Sequence, residues 1–283
     1  GRKLLGTVGI VAYSLAYTAL ILFLLHRFTG LRFEMRGSPI PIPTWQHTDY
    51  ALLEKARAEK ANSTSAKTTP GAAKTNTAPY WTDFRGPQRD GVYTEQPINV
   101  DWAKSPPKLL WKQPVGGGYA SFVVADGLAF TIEQRREQEA VTAYEIETGR
   151  EVWAHTYAAR FHEWMGGEGP RATPTWHAGR VYSLGGTAQL RCLEAATGKL
   201  LWQHDLLAEN TCSNLQFAAS ASPLIVDDKV IALAGEPQGR EGRMLVAYDK
   251  TSGAFAWKAH EDKAAYSSPM LATLAGERQI LVH

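Results

Sequence analysis

Cysteine is nearly absent from this chain: 283 residues carry only Cys192 and Cys212. There is no adjacent Cys-Cys, no Cys-x-x-Cys and no Cys/His spacing of the kind that holds zinc, so a disulfide framework and a cysteine-built metal centre are excluded. A single Cys192–Cys212 disulfide stays open in an oxidising compartment, beside a reading of Cys192 as a small buried apolar residue. An excess of either charge is missing as well, with 30 Lys and Arg against 28 Asp and Glu. The balance is uneven along the chain. Residues 26–79 carry eight basic and four acidic side chains, a net of +4, and residues 80–283 carry twenty against twenty-four, a net of −4. An acidic C-terminal part argues against nucleic acid as a partner, because phosphates need a basic face.

Long apolar runs are missing from all but one place. Leu4 to Leu25 is uncharged for 22 residues, and as a helix it would measure about 33 Å, enough for the hydrocarbon core of a bilayer. A cleaved signal peptide has an apolar region of about 7–15 residues and ends at a small-residue site, whereas Arg27, Phe28, Arg32 and Phe33 follow here. Residues 1–27 are therefore expected to be a transmembrane signal anchor that makes residues 4–25 the membrane contact. Two basic residues precede the run and three follow it (Arg27, Arg32 and Arg36), a count that does not by itself favour export.

Residues 28–79 read as a membrane-proximal segment and linker. Ser38-Pro39-Ile40-Pro41-Ile42-Pro43 must be extended, Asp49 to Ala61 suggests a short, weakly amphipathic helix, and Asn62 to Pro79 has linker composition. As a flexible coil those last 18 residues would span on the order of 25 Å.

Residues 80–283 carry a repeated phrase of strand, Thr/Ser-Gly turn, and tryptophan four residues after the glycine. It occurs as Ala143 to Trp153 around Gly149, Cys192 to Trp202 around Gly198, and Ala247 to Trp257 around Gly253. Trp153, Trp202 and Trp257 stand 49 and 55 residues apart, and Trp111 lies 42 residues before the first. A period of this size with several strands per unit predicts an all-β propeller with four-stranded blades. Three full blades are expected at 119–157, 172–206 and 220–260, with a fourth opening at Tyr266-Ser267-Ser268-Pro269. Glycine suits the turn through its access to positive φ, and each tryptophan is expected to pack between blades, with Trp111 on the matching strand of a preceding blade. The ring is interrupted in its fourth unit and the first residue is Gly1, so both ends are expected to be incomplete. An intact mass of the native protein near that of 283 residues would overturn that expectation.

Few residues suggest chemistry. His155, His204 and His260 follow their blade tryptophans and are expected at exposed strand ends rather than at a shared metal. The loop His162-Glu163-Trp164-Met165-Gly166-Gly167-Glu168-Gly169-Pro170-Arg171 mixes an aromatic, carboxylates and an arginine between two blades, which is where propellers bind. His162, Trp164, Glu168 and Arg171 are its candidate binding residues, against an alternative in which Arg171 simply pairs with Glu168. Gly116-Gly117-Gly118-Tyr119 and Asn210 to Phe217 are expected at comparable positions. No set of nucleophile, base and oxyanion donors is assembled, so no catalytic residue is assigned.

The repeat resembles that of the pyrroloquinoline-quinone (PQQ) binding-like β-propellers. Trp81-Thr82-Asp83-Phe84-Arg85-Gly86-Pro87-Gln88-Arg89-Asp90-Gly91, Gly169-Pro170-Arg171-Ala172-Thr173-Pro174 and Tyr266-Ser267-Ser268-Pro269 are similar to motifs of a bacterial branch of that family. The resemblance implies the propeller fold and an extracytoplasmic location, here the periplasmic side of a bacterial inner membrane. The family includes quinoprotein dehydrogenases and cofactor-free scaffolds. A dehydrogenase would show an adjacent Cys-Cys pair over the quinone and a calcium site, so PQQ with calcium is carried only as the alternative to a cofactor-free, non-catalytic scaffold for a protein partner. A carbohydrate or cell-wall binding module is a third reading, suggested by Trp164 and Trp176.

Overall fold

The computed structural model describes residues 31–34, 42–45, 48–63, 80–95, 97–238, 243–259 and 266–282. Leu4–Leu25 and His260 lie outside the described residues, and among those described no helix is long and apolar enough to cross a membrane. The chain divides into two units, residues 1–49 and 50–283. In the first, strand β1 (Leu31–Glu34) pairs antiparallel with β2 (Ile42–Trp45).

The second unit opens with a 14-residue helix, Tyr50–Ser63, and continues into the blades. Blade I is β3 (Val123–Ala125), β4 (Leu128–Arg135), β5 (Gln138–Glu145) and β6 (Glu151–Ala158). A short hairpin of β7 (His162–Glu163) and β8 (Gly167–Glu168) leads to blade II, made of β9 (Thr175–His177), β10 (Arg180–Leu184), β11 (Gln189–Glu194) and β12 (Leu200–Asp205). After a helical turn, Leu206–Glu209, β13 (Cys212–Ser213) precedes blade III. That blade holds β14 (Leu224–Val226), β15 (Lys229–Leu233), β17 (Leu245–Asp249) and β18 (Phe255–Ala259), with β16 (Glu236–Pro237) making an excursion to pair with β13. Two strands of blade IV follow, β19 (Met270–Leu274) and β20 (Glu277–Leu281). Each full blade is an antiparallel meander in chain order.

The repeated turn is built the same way each time. Gly149, Gly198 and Gly253 donate their N–H to the carbonyls of Glu145, Glu194 and Asp249. The carboxylates of those same three residues accept the hydroxyls of Thr148, Thr197 and Ser252 at 2.6, 2.5 and 2.8 Å. The register shifts once per blade at one place, so that Trp153, Trp202 and Trp257 face Ala143, Cys192 and Ala247 directly after a bulge. A bulge bends the strand and re-aims the side chain that follows.

The aim is the next blade. The indole N–H of Trp111 donates to Ile146 O at 2.5 Å, that of Trp153 to Ala195 O at 2.9 Å and that of Trp202 to Lys250 O at 3.3 Å. Each acceptor lies three residues before the turn glycine, and the ring lies over that glycine. A Cβ on Gly198 would come within 2.5 Å of Trp153 and one on Gly253 within 2.7 Å of Trp202, with Gly149 equally crowded by Trp111. With φ of 68°, 72° and 76°, the glycines serve the turn and the tryptophan at once. Trp111 makes this contact from a segment that belongs to no strand, not from a strand as the repeat suggested.

The core consequently lies between blades. Phe130, Ile132 and Val141 of blade I pack with Val181 and Leu193 of blade II around Trp153. Tyr182, Leu190 and Cys192 pack with Val230, Val246 and Tyr248 around Trp202, and Leu233 and Leu245 pack with Leu271, Ile280 and Trp257.

Candidate functional site

The β7–β8 hairpin carries the loop singled out in the sequence. Glu163, buried, turns its carboxylate back to accept the N–H groups of Met165 at 2.9 Å and Gly166 at 2.6 Å. Arg171 fills the hairpin from behind. Its guanidinium donates to the carbonyls of Gly166 at 3.2 Å, Gly167 at 2.9 Å and Gly169. The same group lies 5.2 Å from the Tyr119 ring centre and 4.8 Å from that of Phe161, a cation–π arrangement. Burial pushes the Arg171 pKa below the usual arginine range, against the pull of nearby carboxylates. Arg171 therefore organises the loop through backbone carbonyls. Glu168, the partner considered in its alternative role, instead accepts the Tyr50 hydroxyl at 2.8 Å.

The side chains left outward are Trp164, 72% exposed, Met165, 46%, and Tyr119, 60%. His162 is exposed at the base of the hairpin. The other two loops meet this one: Tyr119 N–H donates to Pro170 O at 2.8 Å, and Phe217 lies next to Gly166 and packs on Tyr266 at 5.9 Å. The result is an aromatic surface on a loop whose backbone is tied down. Trp176 is elsewhere, on β9, where its ring meets Tyr80 at 5.6 Å.

The Trp81–Gly91 motif forms a second locus that its sequence did not disclose as a site. Trp81 exchanges backbone hydrogen bonds with Val124 of β3, the edge strand of blade I, and Thr82 O accepts Trp176 N–H. Buried Arg89 reaches blade III, donating to Ser222 O at 3.0 Å and Pro223 O at 2.8 Å, with Asp83 at 3.3 Å. Burial pulls Arg89 down and pushes the Asp83 carboxyl up from the ordinary range. Asp83, Arg89, Trp176 and His177 line a cleft of about 480 Å³ with Leu224 and Met270. The signal available in the sequence was two acids and two arginines among small turn residues, without periodicity to place them.

The histidines differ from expectation. His204 is not an exposed strand end: it stacks on Tyr248 at 4.0 Å and bridges Glu209 and Gly253 O, each at 2.8 Å. His155 is half-buried, and burial followed by the charge of Arg191 lowers its pKa. The cysteines carry free thiols. Cys192 is in the core between blades II and III, where burial pushes it up to about 11. Cys212 Sγ instead faces Asn210 O and Arg243 O.

The features that the alternative with PQQ and calcium would need are not assembled among the described residues. The two cysteines are separate, and no three His, Cys, Asp or Glu side chains among the described residues come together around a metal position.

No curated protein matches the chain. Among solved structures it is similar to the quinohemoprotein alcohol dehydrogenase of Comamonas testosteroni, at 22% identity over 72% of this chain and 31% of that one, with a TM-score of 0.49. It is also similar to BamB of Moraxella catarrhalis, at 19% identity over 51% and 36%, with a TM-score of 0.31. A europium-containing methanol dehydrogenase matches at 20% identity over 52% and 25%, with a TM-score of 0.38. The chain spans between a quarter and about a third of the length of these three. A family model described as outer membrane protein assembly factor BamB matches residues 137–283. That match takes in more than half of the sequence and all of blades II and III, and by it the chain belongs to this family of PQQ-like propeller repeats.

Proposed function

We propose that the protein is a membrane-tethered, extracytoplasmic β-propeller that binds another protein as a non-catalytic accessory subunit of a membrane complex. The apolar run Leu4–Leu25 would place it as a single-pass protein of a bacterial inner membrane, with the propeller in the periplasm. The family description, an outer membrane assembly factor, supports a scaffold role for the propeller.

The observation that carries the reading is Trp164, 72% exposed, at the tip of a loop that Glu163 and Arg171 hold from within. Tryptophan, tyrosine and arginine dominate the energetic centres of protein interfaces, and a loop ordered in advance loses little entropy on binding. The test is retrieval of the full chain from membranes in mild detergent, comparing wild type with Trp164→Ala. A partner held by the wild type should be lost about ten-fold or more in the variant, with the unfolding temperature unchanged. Equal recovery of the same partner by the variant would defeat the proposal.

A further inference from the structure

We infer that the helix Tyr50–Ser63 is a latch, seated in an acidic groove of blade I and holding the N-terminal part of the chain to the propeller without need of residues 64–79. The groove is defined by Glu133 of β4, whose carboxylate is 2% exposed. It accepts from Arg57 Nη2 of the helix at 2.7 Å and from Arg135 Nε at 2.5 Å, with Gly116 N–H as a further donor. Glu151 of β6 takes Arg135 Nη2 at 2.5 Å and lies 3.9 Å from Arg57 Nε. Two carboxylates and two guanidiniums thus form one network, and the helix supplies one of the two cations.

The other end of the helix repeats the pattern. Tyr50 donates its hydroxyl to Glu168 at 2.8 Å, and Arg136 forks onto Glu54 at 2.7 and 2.9 Å while lying over the Tyr50 ring. Leu53 is buried between these contacts. Positions 50, 53, 54 and 57 are spaced as one face of an α-helix, so a single stripe carries all of them. Without the helix, the buried Glu133 would keep one cation of two, and removing one partner of a buried ion pair is strongly destabilising. The occupant that fits the groove is therefore this segment, with a phenol at one end and a guanidinium seven residues on.

The test uses the full chain with a specific protease site placed within residues 64–79. After cleavage in mild detergent, the two fragments should elute together. Arg57→Glu should weaken their association about a hundred-fold, while the paired exchange Glu54→Arg with Arg136→Glu should retain it. Fragments that separate on cleavage of the otherwise unaltered chain overturn the latch, as does full retention by Arg57→Glu. Should that variant not fold, Arg57→Gln in the uncut chain replaces it, read by hydrogen exchange of residues 133–136. Exchange faster by ten-fold or more supports the latch, and unchanged exchange overturns it.

Discussion

Glu139 shows what a single buried carboxylate does in the layer between two blades. Its Oε2 accepts the Tyr157 hydroxyl at 2.6 Å and its Oε1 accepts Gly186 N–H of blade II at 2.8 Å. Arg191 lies over the Tyr157 ring at 3.7 Å and donates to Gln203. Burial outweighs these partners and raises the Glu139 pKa above the ordinary carboxylate value. A carboxyl raised on folding binds its proton more tightly in the native state than in the unfolded one. Its stabilising contribution is full below the unfolded value and is lost as pH rises through the folded value. Between those two values, stability should therefore fall with rising pH. Glu139→Gln removes this contribution, although Asp83, raised by burial as well, will keep part of the trend. Urea unfolding from about pH 4 to 8 should show a flatter profile for the variant. An identical profile would show that Glu139 titrates no differently in the folded and unfolded chains.

At the scale of the element, the blades are joined by a second series of contacts beside the tryptophans. Ser121 N–H donates to Thr173 Oγ1 at 3.0 Å, Thr173 N–H to Ser222 Oγ at 3.0 Å, and Ser222 N–H to Ser268 Oγ at 2.9 Å. One hydroxyl per repeat thus accepts the backbone donor of the repeat before it, which explains why Ser or Thr precedes Pro174, Pro223 and Pro269. Thr173→Val keeps the shape and removes the acceptor of Ser121 N–H, which costs about 0.5–1.5 kcal/mol. In a unit of this size that lowers the unfolding temperature by about 2–4 °C per kcal/mol, whereas Thr173→Ser should stay near wild type. Calorimetry decides, and a valine variant as stable as the serine one would remove the hydroxyl from the account. The Ser/Thr-Pro pairs were visible in the sequence as strand openings, but their partners were not, because the bonds cross between repeats about fifty residues apart. The helix Tyr50–Ser63 was visible for the same reason that its place was hidden. Its docking face is polar, so apolar periodicity marks a helix there weakly and gives no hint of what it meets.

Across the whole molecule, the period of the tryptophans was enough to give the three full blades, their strand order and the inter-blade position of the core, since one repeat cannot bury its own apolar faces. The aromatic loop was legible as a location, yet the roles within it were not: Arg171 spends its donors on glycine carbonyls, which carry no side-chain signature. A repeat of this kind also predicts how stability is shared. Trp153 joins blades I and II through Ala195 O, and Trp202 joins blades II and III through Lys250 O. The two sites share no partner, and each repeat contacts only its neighbours, so their contributions should add to within about 0.5 kcal/mol. They should not be equal. Lys250 O also accepts the Tyr182 hydroxyl at 3.0 Å, so Trp202→Phe leaves it a donor and should cost about 1 kcal/mol. Trp153→Phe takes the indole donor from Ala195 O and should cost about 1–3 kcal/mol. Denaturant unfolding of both single variants and the double variant measures the coupling directly. A double variant less stable than the sum by more than about 1 kcal/mol would mean that the blades communicate beyond their shared faces, and that the array unfolds as something other than a chain of neighbour contacts.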